Sequence, residues 1–124
     1  MSKFFLVCSA VSGFISVALG AFAAHGLKAY FSDASLATFY TGADYQMLHS
    51  LALLGVAILA ACNPDSNALK ISGWAFVVGL ILFSGSLYLL AFSGITIFAA
   101  ITPLGAMAFL LGWTSLFAFA ITTN

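Results

Sequence analysis

Six residues in two short stretches hold most of the chemistry this chain could perform: His25 and Lys28 in AHGLK, and Asp44, Tyr45, Gln46 and His49 in DYQMLHS. Histidine titrates near neutral pH, so two of them beside a carboxylate are the minimal parts of a proton relay. Lys28 and the histidines, with Tyr30, Tyr40 and Tyr45 nearby, would equally suit the rim of a site for a lipid headgroup or a quinone. Two histidines and a carboxylate could hold a metal ion, but their spacing matches no zinc pattern and no second carboxylate supports it. Neither a metal nor a cofactor is expected. The plainer alternative is a hydrogen-bonded seam, with a neutral His49 bonded across helices to Tyr88 or to a backbone carbonyl. No GxSxG, HExxH or phosphate-binding loop is present, so an enzyme is not expected.

The elements that position these residues follow from composition. The chain has 124 residues, 64% of them hydrophobic and 5% charged. Soluble domains carry roughly 25% charged residues, and one this small could not bury so much apolar surface. The natural solvent is lipid. There every backbone polar group must be satisfied internally, which leaves helices or closed barrels. Barrel strands alternate apolar and polar residues; this chain has long continuous apolar runs instead. The expected fold is all-α: a compact bundle of four membrane-spanning helices forming a single domain.

A span needs roughly 20 apolar residues. Candidates run over about 4–24, 44–62, 71–92 and 98–121. The first exceeds the 7–15 residues typical of a signal-peptide core, so a retained helix is expected. Asn63 to Asn67 are all turn formers. Thr102-Pro103 resembles an N-cap with proline at the first helical position, which would start the regular part of the last helix there; a kink at Pro103 is the alternative. Residues 25–42 form a semi-polar, amphipathic connection in which Ser32-Asp33 could cap a helix from Ala34. That helix would lie in the interface or run straight into the second span. Asp44 then marks the edge of the hydrocarbon, with His49 roughly 7 Å deeper.

On a helix, Asp44 and His49 point about 140° apart and cannot pair locally, whereas Tyr45 and Gln46 share the face of His49. Gly26 is the expected C-cap of the first helix. His25 and Lys28 would then face Asp44, Gln46 and His49 across a helix pair.

Small residues let membrane helices approach closely. Ser9, Ser12, Gly13, Ser16, Gly20, Ala23 and Ala24 fall on one face of the first helix. Ser72, Ala75, Gly79 and Ser86 do so on the third, and Gly105, Ala108, Gly112 and Ser115 on the fourth. These stripes predict close backbone contact, with the phenylalanines on the opposite faces against lipid or a second subunit. Cys8 and Cys62 lack metal spacing and are read as small buried hydrophobes.

With no basic run, nucleic acid is not an expected partner. Membrane lipids are, with a second copy or another membrane protein as further candidates. Lys3 and Lys70 lie on the side of the termini against Lys28 on the other, which favours cytoplasmic termini.

GAFAAHGLK, FYTGADYQMLH, FSGSLYLLAFSG and ITPLGAMAFLLGW, in this order along nearly the whole chain, resemble the YgdD-type family of small bacterial membrane proteins, domain of unknown function 423. Ala24 and Ala106 stand where glycine is common in that pattern. The resemblance implies four helices in the bacterial inner membrane and no established activity, substrate or cofactor. Its motif residues fall on His25, Gly26, Lys28, Tyr45, Gln46 and His49. The leading expectation is a structural protein supporting membrane integrity or a partner. The rivals are a proton-linked transporter or small channel using His25 and His49, and a lipid-headgroup or quinone binder.

Overall fold

The computed structural model describes residues 1–123 and contains helices and no strand among them. α1 covers Ser2–His25, α2 Asp33–Cys62, α3 Asn67–Gly79, α4 Gly85–Ser93 and α5 Ile97–Thr122. A wide, π-type turn at Leu80–Ser84 joins α3 to α4, so the two form one span over Asn67–Ser93. Among the described residues, four segments are thus long and apolar enough to cross a membrane. Short connections make successive spans antiparallel.

The start of α2 corrects the sequence reading. The amphipathic connection is largely absorbed into the second span, whose helix is 30 residues long. Ser32 is the N-cap, accepting from the Ser35 amide at 3.1 Å, and Asp33 takes the first helical position, where an acid suits the helix dipole. Only Gly26–Ser32 remains as a connection, with a single 3-10 turn at Leu27–Ala29. Leu27 is buried with Ala23, Phe39 and Ala91, which pins this connection to the bundle.

Gly26 is the C-cap of α1, as expected, but in a right-handed conformation; its hydrogen leaves room for the Phe22 ring, which a Cβ would meet at 2.8 Å. The left-handed cap is Gly94, φ 67°, which ends α4 and turns the chain into α5. α5 starts at Ile97, so Pro103 lies within a continuous helix and Thr102 is no N-cap. The Thr102 hydroxyl instead pairs with Ser86 at 2.6 Å, across α4 and α5.

The small-residue faces do turn inward, but phenylalanines fill them. A Cβ at Gly73 would collide with Phe5, at Gly79 with Phe109 and at Gly112 with Phe76. Those three rings form the core with Leu53, Val56 and Ala57. Gly105 instead receives a backbone, that of Phe83. A Cβ at Gly20 would find no atom within 4 Å, so this glycine makes no tight contact. The inward phenylalanines have a physical cause: a glycine hole accepts a whole ring, and dispersion contact is what lipid-embedded helices gain by packing.

The stripe serines also do more than stay small. Ser9 and Ser16 of α1 donate to the Ser50 and Ala43 carbonyls of α2, each at 2.8 Å. Ser72 donates to the Gly112 carbonyl of α5 and Ser84 to the Gly42 carbonyl of α2, again at 2.8 Å. Cys8 is half-buried, whereas Cys62 is exposed at the end of α2 rather than buried.

Candidate functional site

DYQMLHS lies in the middle of α2, where the helix divides it by face. Gln46, His49 and Ser50 are buried, with exposures of 7%, 3% and 2%. Asp44 and Tyr45 are exposed.

Gln46 joins three helices. Its Nε2 donates to the Ser12 carbonyl at 3.1 Å and to the Ser12 hydroxyl at 3.2 Å on α1. Its Oε1 accepts from the Tyr88 hydroxyl of α4 at 2.5 Å. A carbonyl can only accept, so only one orientation of the amide fits. Ser50 Oγ extends the chain, 2.8 Å from the Ser12 hydroxyl and 2.6 Å from the Gln46 carbonyl. Gly42 makes room for this: a Cβ there would press on the Tyr88 ring at 2.9 Å.

His49 uses both ring nitrogens. Nδ1 lies 2.9 Å from the Tyr45 carbonyl, one turn back. That oxygen cannot donate, so Nδ1 carries the proton and Nε2 keeps its lone pair. The lone pair accepts from the Trp113 indole of α5 at 3.1 Å. Phe109 stacks on the imidazole, centroids 3.6 Å apart and planes within 10°. This is a neutral histidine with no vacant nitrogen. It sits at the floor of a groove of about 420 Å3 between α2 and α5, walled by Tyr45, Phe83, Phe109 and Trp113.

The sequence cluster is therefore split. His25, the last residue of α1, and Lys28, just past it, are exposed and do not face Gln46 or His49. The early start of α2 is the cause. It carries Gln46 down to Ser12, which is thirteen residues, roughly 20 Å, from His25 along α1. Among the described residues no three of His, Cys, Asp and Glu come together as metal ligands.

Asp44 is displaced from its expected place at the membrane edge. It lies eleven residues, about 16 Å, into α2, next to Ala43, whose carbonyl is bonded to Ser16. Ser16 is within about one turn of the middle of the apolar stretch of α1. Asp44 is thus an exposed carboxyl at membrane depth, and among the described residues no side chain pairs with it. A charge there costs about 2.5–3.5 kcal/mol in an inserted helix.

Trp113 and Ser84 are the site residues that sequence reasoning missed; of the two partners it offered for His49, Tyr88 bonds Gln46 instead, and the backbone carbonyl is that of Tyr45 on the same helix. Trp113 closes the motif ITPLGAMAFLLGW, ten residues past Pro103 in an otherwise apolar stretch of α5; an indole donor in such a run signals an acceptor on a neighbour.

Among the described residues, four apolar spans with no strand, locked by side-chain bonds through their middle, define a small multi-pass membrane protein. A family model described as protein of unknown function (DUF423) matches residues 19–106. The UPF0382 membrane protein of Haemophilus influenzae is 46% identical, over 94% of this chain and 92% of its own. The UPF0382 membrane protein YwdK of Bacillus subtilis is 42% identical over 90% of both chains. The UPF0382 inner membrane protein YgdD of Escherichia coli is 40% identical, over 97% of this chain and 91% of its own. The chain belongs to this family of membrane proteins. No solved structure matches it.

Proposed function

We propose that the protein is a structural and partner-binding component of the membrane, and that the Ser12/Gln46/His49/Ser50 cluster is a seam that fixes the register of its helices. One observation carries this reading: among the described residues no buried side-chain nitrogen or oxygen lacks a partner. Transport or catalysis inside the bundle needs a buried polar group free to take up a proton or substrate. Here Gln46 and His49 spend their donors and acceptors on Ser12, Tyr88, Tyr45 and Trp113.

A proton relay through His25 and His49 finds no support in the distance between them along the bundle. The groove beside His49 supports a second reading, in which a lipid chain or an apolar ring rests on Phe83, Phe109 and Trp113. The residues offered for a headgroup, His25 and Lys28, lie at the other end of α1 from that groove's floor.

The test combines stability with flux. Purified protein is reconstituted in liposomes holding a pH-sensitive dye, and a pH step is imposed. The structural reading expects no flux above empty vesicles, and a lower melting temperature in detergent for His49→Leu. Flux that His49→Leu abolishes would replace it with proton transport.

A further inference from the structure

The outer face of α2 carries two polar groups that the monomer does not use. The hydrogen bonds of this segment run from Gln46, His49 and Ser50, on the inner face. Asp44 is exposed, and Tyr45, 45% exposed, rests its ring on Phe83 with centroids 4.7 Å apart at the rim of the His49 groove and leaves its hydroxyl unbonded, so that neither side chain has a hydrogen-bond partner among the described residues. A third feature lies on the same side. Gly55 is exposed, and a Cβ there would touch nothing within 4 Å. A glycine inside a helix weakens it relative to alanine, and packing within the bundle gives no reason for this one.

These features are arranged for pairing with themselves. Asp44 and Tyr45 lie about 100° apart around α2, and Thr41 and Leu48 fall between them. Thr41, Leu48, Gly55 and Cys62 recur every seven residues, the spacing that keeps a line of side chains in contact along a left-handed helix pair. Two copies inserted in the same direction hold equivalent residues at equal depth. A two-fold axis along the membrane normal, through the Thr41–Leu48 line, sets the left flank of one helix against the right flank of the other. The Tyr45 phenol of each copy then donates to the Asp44 carboxyl of its partner, twice over.

The geometry points to a parallel homodimer across α2, with reciprocal Tyr45–Asp44 hydrogen bonds and close approach at Gly55. The second copy is favoured over a foreign helix because donor and acceptor are both already present on adjacent residues. A foreign partner would answer Asp44 with a lysine or arginine at membrane depth. This chain's own lysines, Lys3, Lys28 and Lys70, lie near helix ends. The inference rests on the reading of the protein as one that acts through partners, and it is separable from the seam, which is internal to each copy.

The experiment is oxidative cross-linking of the full chain in lipid vesicles at falling protein-to-lipid ratio. Cys62, exposed on the proposed line, is tested in a Cys8→Ala background. Leu48→Cys is tested with both native cysteines replaced, and Leu110→Cys, exposed on α5, is the control. Cross-linking at positions 48 and 62 that persists on dilution, without cross-linking at 110, is the expected result. Asp44→Leu and Tyr45→Phe should each weaken the dimer about tenfold, the scale of one or two membrane hydrogen bonds, while leaving the melting temperature of the monomer intact. Equal cross-linking at 48 and 110, monomers at every ratio, or an Asp44→Leu dimer as tight as wild type would each overturn the inference. A melting temperature insensitive to His49→Leu would instead strike at the seam.

Discussion

The Trp113 indole nitrogen donates to His49 Nε2 across 3.1 Å, so α5 is tied to α2 through a ring that Phe109 covers from one side. The bond consumes the one nitrogen of His49 that could have accepted a proton. Trp113→Phe keeps the aromatic packing and removes the donor. It should cost about 1–2 kcal/mol, read as a lower midpoint in reversible detergent unfolding. In a double-mutant cycle with His49→Leu the coupling should be roughly 0.5–2 kcal/mol. Additive losses would show that the bond contributes nothing.

Gln46 should be the least replaceable polar residue. Gln46→Leu strips partners from Ser12 and Tyr88 at once, and each orphaned group costs about 1–3 kcal/mol when buried. Tyr88→Phe removes only one bond and should cost less. Circular dichroism against temperature would rank the two variants; the reverse order would contradict the network.

The glycines separate cleanly by what surrounds them. Gly105→Ala drives a methyl group into the Phe83 backbone and should destabilise by about 1–3 kcal/mol. Gly20→Ala meets nothing and should be neutral or stabilising by up to about 1 kcal/mol through helix propensity. Thermal unfolding of the two variants side by side checks both signs.

Orientation is open to labelling. Cys62 is exposed at the end of α2 beside Asn63, on the side of both termini, whereas Cys8 is half-buried. A membrane-impermeant maleimide should modify Cys62 well ahead of Cys8. If the termini are cytoplasmic, as Lys3 and Lys70 favour, labelling occurs in inverted vesicles and not in intact spheroplasts. Labelling from outside would place the termini in the periplasm.

Much of the fold was legible because lipid leaves so few choices. Three apolar runs fall within about four residues of the spans and the second shares its end at Cys62 but starts eleven residues late, although Ser32 announced the start of α2 by its capping chemistry. The fate of residues 34–43 was not legible. Phe39, Gly42 and Ala43 are buried within the bundle, yet in sequence they sit among polar neighbours and read as interfacial. That one ambiguity moved Asp44 to the membrane edge and joined His25 to His49 across a gap that the structure keeps open. Gln46 and His49 were found from their helical spacing. Trp113 and Ser84 were not, because a bond between helices about 40 to 60 residues apart in sequence leaves no local pattern.

The wide turn at Leu80–Ser84 has a consequence for how this chain can vary in length. Such a turn holds one residue more than an α-helical one, and the surplus rotates α4 against α3 by about 100°. Because of it, one span offers Ser72 and Gly79 to α5 below and Ser84 and Tyr88 to α2 above. Straightening the turn with every residue kept would swing Tyr88 about 100° away from Gln46, whereas deleting one residue between 80 and 84 would restore an unbroken helix with Tyr88 still in phase. The third span can therefore absorb the loss of one residue at these positions and keep its bond to α2.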